Sequence, residues 1–315
     1  MRAAAVVIGL NEGARLVRCL ASLQGRAAPI VYVDSGSTDG SVDAARAAGA
    51  EVVELERDRP FTAARARNAG LARLVGTDPP FVQVVDGDCE LRAGWIEAGA
   101  DFLDAHPRVA AVAGRLRERD PGASVWNRLA DAEWDAPHGE TEAIGGIAML
   151  RRDAIAEVGG YRDDLAAGEE PEMCLRLRRA GWRIHRLPDE MALHDIAMTR
   201  ASQWWRRARR GGWAYAAAHG VHGHPNHYTG RLRRVILWGM ILPLVTVAGA
   251  IATPWALVLL LAWPAQVLRL RLKGYPFEQA IALTIGKLAE AQGVIDWWRG
   301  PRAQKTSKRG MTASR

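Results

Sequence analysis

The sequence predicts an α/β fold, a mostly parallel sheet flanked by helices, followed by a C-terminal helical hairpin suited to a membrane. Three observations carry this. Through the first hundred residues, short apolar runs rich in β-branched residues alternate with helical patterns, the signature of βαβ units with right-handed crossovers. One of these runs, residues 81–85, ends abruptly in Asp86-Gly87-Asp88, at the edge where open α/β sheets bind ligands. Residues 235–268 form a stretch of 34 without a charge, set between clusters of arginine.

Residues 3–8 are the first strand. The run is long enough for the core of a signal peptide, but Asn11-Glu12-Gly13 follows with no cleavage site, so a strand explains it better. Asn11 is placed to N-cap a helix carrying Leu16, Leu20 and Leu23 on one face. Residues 30–33 form the second strand, ending at Asp34, and the polar loop 34–40 opens a helix that runs to about Ala48. A third strand at 51–55 and a helix at 62–74 lead to the strand that ends in the acidic loop. Two carboxylates one residue apart repel each other, and a divalent cation with oxygen ligands relieves that repulsion. Asp86 and Asp88 are therefore candidates to hold a metal and, through it, a nucleotide diphosphate. Gly87 would let the backbone turn there and approach a ligand. Alone, the tripeptide also fits the polar turn that closes many strands; its position on the fourth strand of such a sheet favours the site.

Beyond Trp95 the pattern is less regular. Residues 109–114 read as a strand, 120–142 as a loop-and-helix region, and 144–150 lead into a helix at 151–158. From Pro171, Met173, Leu175 and Leu177 opposite Arg176, Arg178 and Arg179 fit an amphipathic helix closed by Gly181. Glu169 and Glu170 fall just before its first turn, where the helix dipole favours negative charge. Simple capping is one reading of them.

The net charge of +7 hides an asymmetry. Residues 1–200 carry 25 Lys/Arg against 32 Asp/Glu, a net of −7, and residues 201–315 carry 17 against 3, a net of +14. The basic part also holds the longest apolar run, which favours a membrane surface over nucleic acid as its partner. Cys19, Cys89 and Cys174 have no paired spacing, which argues against a disulfide framework or a zinc site and suits a reducing compartment.

In the back part, 34 residues would make about 50 Å of helix, too long for one pass of a ~30 Å hydrocarbon core. Thr253-Pro254 offers a break. Arg231, Arg233 and Arg234 on one flank and Arg269, Arg271 and Lys273 on the other place both ends in the cytoplasm. The second arm is short, so a re-entrant or interfacial hairpin stays open beside a full crossing. Phe277, Ile281, Ile285, Leu288, Ile295 and Trp298 form one helical stripe that suits an interfacial helix or packing on the front domain. His219, His222, His224 and His227 lack an acidic or cysteine partner nearby and are not read as a metal site.

In this order and spacing, VVIGLNEG (6–13), VYVDSGSTDGS (31–41), PFTAARARNAG (60–70), Asp86-Gly87-Asp88, GEEPEMCLRLRRAGW (168–182) and ALHD (192–195) resemble the family 2 glycosyltransferases, enzymes with the GT-A fold. The match covers roughly residues 3–215. The resemblance implies that Asp34 hydrogen-bonds the nucleotide base, with Gly9, Leu10 and Asn11 beside it. Asp86 would face the ribose and the metal, Mn²⁺ or Mg²⁺, with Asp88 as its ligand and His194 as a late metal or phosphate ligand. Arg67 and Gly87 would lie against the donor. Glu170, with Glu169 before it, stands where the family usually has the Asp of a Glu-Asp pair, the catalytic base. The expected activity is inverting transfer of a hexosyl-type sugar from a nucleotide-diphosphate-sugar to a glycan, lipid-linked or envelope-polysaccharide acceptor. The acceptor is inferred from the membrane anchor, at the cytoplasmic face of the plasma (inner) membrane, with membrane lipids and no nucleic acid as partners. Three departures stand out. Glu170 is one methylene longer than the usual Asp, Ile147 occupies a position often polar, and Gln203-Trp204-Trp205-Arg206 matches the element of processive synthases only in composition.

The domain reading is a GT-A catalytic domain at 1–215, a basic, His-rich linker at 216–234, the hairpin at 235–273, an amphipathic interfacial helix at 274–299 and a disordered basic tail at 300–315. Two alternatives are weighed. A sugar-phosphate nucleotidylyltransferase would need a Gly-rich, basic loop where Gly9-Leu10-Asn11-Glu12 stands. A non-catalytic, membrane-anchored nucleotide-sugar-binding scaffold would not need Asp34, Asp86, Asp88, Glu170 and His194 together.

Overall fold

The structure is a computed structural model that describes residues 1–223 and 228–300. His224, His227 and the tail from 301 lie outside the described residues. By contacts the chain divides into two units, Met1–Pro121 with Ala130–Ala197, and Gly122–Leu129 with the elements from Met198 onward. The helix at Ala201–His222 thus groups with the C-terminal elements.

The first unit is laid down as the alternation predicts. The order is β1 (Ala3–Gly9), α1 (Ala14–Leu23), β2 (Ile30–Asp34), α2 (Ser41–Ala47), β3 (Glu51–Glu54), α3 (Ala63–Arg73) and β4 (Phe81–Asp86). Small and β-branched residues on β1 can be covered on both faces, and Ala3 to Val7 are fully buried between flanking helices. β1 pairs parallel with β2 and with β4, and β2 with β3. Next come β5 (Cys89–Leu91), α4 (Trp95–Ala105), β6 (Val109–Glu118), α5 (Val125–Trp134), β7 (Gly139–Glu140), β8 (Ala148–Arg151), α6 (Arg152–Glu157), α7 (Glu169–Arg179) and β9 (Arg183–His194). The sheet runs β3-β2-β1-β4-β8-β6-β9-β5, with β7 on β9. It is parallel across the first four strands. Beyond them β8 is antiparallel to β4 and β6, and β5 to β9, so the whole is mixed.

Two helix starts differ from the expectation. The cap of α1 is Gly13, not Asn11. Asn11 sits at φ 56°; its N–H donates to Ser37 Oγ (2.9 Å) and its Oδ1 accepts from Thr38 N (2.8 Å). The side chain therefore ties the first loop to the second and caps nothing. Helix α7 begins at Glu169, so Glu169 and Glu170 belong to its first turn.

The second unit contains α8 (Ala201–His222), α9 (Thr229–Ile236), α10 (Leu242–Ala252), α11 (Ala262–Leu272) and α12 (Phe277–Trp298). A π-helical turn at Leu237–Ile241 joins α9 to α10, and a 3-10 helix at Pro254–Leu261 leads into α11. Together these make two helices, Thr229–Ala252 and Pro254–Leu272, each long and apolar enough to cross a membrane, with mean hydropathy 2.3 and 1.4. The chain breaks at Thr253, which is extended, as the Thr-Pro pair predicts. Helices α8 and α12 meet on glycine: a Cβ on Gly212 would collide with the backbone of Glu290, and one on Gly293 with the backbone of Arg209. The buried face of α12 is Ala280, Thr284, Gly286, Ala289, Ala291, Gly293 and Val294. The expected stripe looks outward in part, with Phe277, Ile285 and Trp298 exposed.

Candidate active site

The register of the parallel strands brings the first candidates to one level. Gly9 pairs with Asp34 and Ile8 with Asp86, so the carboxyl ends of β1, β2 and β4 open side by side. The Asp34 carboxylate is 2% exposed. It accepts from Tyr32 Oη (2.9 Å) and from the N–H groups of Gly36 and Ser37 (both 2.7 Å), which fixes the loop after β2. Gly9 is needed for space, since a Cβ there would lie 3.2 Å from the Tyr32 ring and from Glu12. Leu10 is half-buried and Asn11 exposed on the same rim.

Gly87 departs from its expected reason. Its φ is not positive; a Cβ would press at 3.1 Å on Glu12 Cγ and 3.3 Å on the carbonyl of Ile8, and its N–H donates to that carbonyl (2.8 Å). The glycine is required by close packing under the loop. Glu12 is the residue the sequence reading missed: it is a third carboxylate beside the acidic pair, held by Arg15 at 2.8 Å. Burial, reinforced by Asp88 and then Asp86 and opposed by Arg15, pushes its carboxyl up to about 7.

The structure separates the two aspartates. Asp88 Oδ2 meets His194 Nε2 at 3.1 Å, because β5 and β9 run antiparallel with Cys89 opposite His194. One donor atom each from Asp88, Cys89 and His194 lies within 4.8 Å of the others. The His194 ring stacks on Trp134 (4.7 Å), and its buried Nδ1 has no partner among the described residues. Burial disfavours charge on both partners. The pair overcomes it, so the Asp88 carboxyl is lowered by His194 and the imidazole is raised by Asp88. Asp86 is not in this group.

Asp86 faces α3 instead, where Arg67 Nη2 meets its Oδ1 at 3.0 Å. The other nitrogen of the same guanidinium, Nη1, reaches Glu169 Oε1 at 2.8 Å and Glu170 Oε1 at 3.0 Å. Arg67 is 2% exposed, stands over Tyr161 with its guanidinium carbon 5.6 Å from the ring centroid, and has a buried Nε with no hydrogen-bond partner among the described residues. Gly146 completes the fit: a Cβ there would be 2.5 Å from Arg67 Nη2 and 2.9 Å from Glu170 Oε1. The Gly145-Gly146 pair is visible in the sequence, but its reason is not. Ile147 turns into the hydrophobic core. Burial and the neighbouring Glu169 push the Glu170 carboxyl up to about 8 against the pull of Arg67. Burial also holds the Asp86 carboxyl above its ordinary value, despite Arg67.

The donor set of Asp88 and His194, ringed by Asp86 and Glu12, fits a divalent cation chemically. Oxygen and imidazole ligands suit such an ion.

Comparison with known proteins shows what the chain is similar to. The family model "Glycosyl transferase family 2" matches residues 5–159. The chain is 31% identical over 198 residues to "Pre-mycofactocin glycosyltransferase" of Mycobacterium tuberculosis strain CDC 1551 / Oshkosh, and to the same extent to that of strain ATCC 25618 / H37Rv. These alignments cover 59% of this chain and 41% of the relatives, so the chain spans about two fifths of the length of the curated relatives it matches. Among solved structures, "Mannosyltransferase PcManGT from Pyrobaculum calidifontis in complex with GDP-Man and Mn2+" superposes with TM-score 0.63 at 21% identity, covering 95% of this chain and 88% of that chain. The mixed sheet with flanking helices is therefore of the GT-A glycosyltransferase type.

Proposed function

We propose, on the premise that this chain carries a family 2 glycosyltransferase domain over residues 5–159, that the protein transfers a sugar from a nucleotide-diphosphate-sugar to an acceptor hydroxyl. The transfer inverts the anomeric centre and depends on Mn²⁺ or Mg²⁺. The acceptor is lipid-linked or an envelope polysaccharide, and the reaction runs at the cytoplasmic face of a membrane.

The observation that supports this best is the single guanidinium of Arg67 between Asp86 and the pair Glu169 and Glu170. It ties the donor side of the site to the acceptor side. In a single displacement the acceptor oxygen bonds to the anomeric carbon, its proton passes to a carboxylate, and the diphosphate leaves with the electron pair of the broken bond. Glu170 is the stronger candidate for the base, since its carboxyl is 16% exposed and Glu169 only 6%. A carboxyl pushed up to about 8 is matched to proton transfer near neutral pH. Arg67 is a positioning residue in this reading, because it is buried and held by three carboxylates. Asp34 orders the loop at 35–37 for the base of the nucleotide, and Asp88 and His194 would hold the cation, while Asp86, the third ligand expected from the sequence, is paired with Arg67 instead. When bound, the cation neutralises charge developing on the phosphate oxygens.

Thermal stabilisation of the detergent-purified chain against a panel of nucleoside diphosphates, with and without Mn²⁺, tests the donor half. Ligands that bind the folded state raise its melting temperature. A Mn²⁺-dependent shift with one diphosphate is the expected result, and nucleotide binding that persists unchanged in EDTA would remove Asp88 and His194 from a metal role. For the acceptor half, Glu170→Gln should keep donor binding and lose transfer. If it keeps most of its turnover, another group is the base.

A further inference from the structure

Cys89 is a buried thiol that the transfer reaction does not use. It opens β5 directly after Asp88, and the antiparallel register of β5 with β9 sets it opposite His194. Its Sγ donates to Asp88 Oδ1 at 3.3 Å, while the other oxygen, Oδ2, meets His194 Nε2 at 3.1 Å. One carboxylate thus stands between a sulfur and an imidazole nitrogen, and the three donors lie within 4.8 Å of one another. Donors around one tetrahedral zinc stand about 3.3–3.8 Å apart, so closing this set on an ion takes about 1 Å of movement at most. The spacing of the cysteines gives no sign of the group, because its members come from two strands far apart in the sequence. Cys19, also near the acidic loop, turns its Sγ to the carbonyl of Asp86 (3.7 Å) and is not one of the three.

The sulfur changes which ion the site prefers. Carboxylate and water suit Mg²⁺ and Mn²⁺, whereas imidazole with thiolate suits zinc. An ionised Asp88, a thiolate and a neutral imidazole balance a divalent charge, and a tetrahedral ion keeps one further position for water. Without an ion, burial keeps the thiol protonated. On binding, that proton passes to the buffer and the ion takes its place on sulfur. The Asp88 and His194 side chains are 21% and 15% exposed, so an ion reaches the sulfur from their side.

We propose that Cys89 joins Asp88 and His194 as a ligand, so that the site takes thiophilic divalent cations of the zinc class in preference to Mn²⁺ and Mg²⁺. Zinc would then compete with the cation that supports transfer. The proposal rests on the reading of Asp88 and His194 as cation ligands.

Cobalt titration of the full, untagged chain in detergent, stripped of metal with EDTA and kept reduced, tests it. Co²⁺ stands in for zinc and gives a thiolate-to-cobalt charge-transfer band in the near ultraviolet. One saturable Co²⁺ with this band is expected, and Zn²⁺ should remove it stoichiometrically. Cys89→Ala should abolish the band. It should also lower the preference for zinc over Mn²⁺, measured by competition, about 100-fold or more, since even a residue behind a ligand is worth ~10–100-fold in affinity. Part of the preference should survive, because oxygen and nitrogen donors alone favour zinc over Mn²⁺. Cys19→Ala and Cys174→Ala should keep the band. A circular-dichroism melt of each variant shows that the fold survives; if Cys89→Ala does not fold, Cys89→Ser and the wild-type spectrum carry the comparison. No cobalt binding, cobalt binding without the band, a band that persists in Cys89→Ala, or an unchanged zinc preference would each overturn the proposal. The Mn²⁺-dependent nucleotide shift separates the two readings. If it stands while the band is missing, only the Cys89 ligand falls; if both are missing, both fall.

Discussion

In the first unit Tyr32, Phe81, Trp95 and Leu103 are completely buried, while in the second Leu244, Ile251 and Trp255 are 69%, 85% and 84% exposed. Charge is distributed the other way. The first unit encloses Arg67, Glu169 and Glu172 in its interior, and the second has no buried charged residue among those described. Burying a charge is costly unless it is paired, and these are paired, Arg67 with Glu169 and Glu172 with Arg176. Leaving large apolar groups in water is equally unfavourable, so the second unit's surface is one that a non-aqueous surrounding would cover. The two units also hold together differently, the first through a sheet and a broad core, the second through α8 and α12 meeting at Gly212 and Gly293 over a small cluster around Tyr215, Val235 and Val294.

The comparison can be sharpened by breaking each unit at its own weak point. The largest expected effect is on catalysis in the first unit: Glu170→Gln should lower kcat about 10²–10⁴-fold, the usual worth of a general base, with little change in donor affinity. Arg67→Ala comes next. It leaves three carboxylates without their shared partner and should cost the first unit about 3–5 kcal/mol in thermal or denaturant unfolding. Arg67→Lys should recover only part, because one ammonium cannot reproduce a fork that serves Asp86 on one arm and two glutamates on the other. A small effect from Arg67→Ala would mean that the cluster is more hydrated than its burial indicates.

Gly293→Ala should act on the second unit alone. The added methyl has no room against Arg209, and overpacking of this kind costs about 1–3 kcal/mol. Limited proteolysis should then cut residues 198–300 faster while nucleotide-diphosphate stabilisation of the first unit is unchanged. If both change together, the units do not fold separately and the contrast drawn above fails.

A further effect is on pH dependence. The Glu170 carboxyl is pushed up to about 8 from an ordinary 4.5, so the folded state binds that proton more tightly than the unfolded chain. Its contribution to stability is complete below the ordinary value and is lost as pH rises through about 8. Glu170→Gln removes the dependence, so the variant should match the wild type in acid and melt higher than it at pH 8 and above, by about 2–4 °C for each kcal/mol relieved. Transfer by the wild type should rise over the same range as the base loses its proton. Parallel melting curves for the two proteins at all pH values would contradict the raised value.

The local pattern alone determined the first four strands and, to within a residue or so, where they end, the break at Thr253, and an apolar stripe on α12. These follow from periodicities of two and 3.6 residues that neighbouring positions already display. It also located the acidic loop, whereas Asp34, His194, Arg67 and the glutamate pair came as site candidates from the family resemblance. What it did not determine is their arrangement. That Asp88 joins His194 while Asp86 joins Arg67 depends on contacts between residues 106 and 19 positions apart. That one guanidinium serves both sides of the site depends on another 102 apart. Glu12 and Gly146 gave no sign of their places for the same reason. A third carboxylate under the loop and a glycine against a buried arginine have meaning only once the strands have brought them together, because close packing and desolvation are properties of neighbours in space and not in sequence.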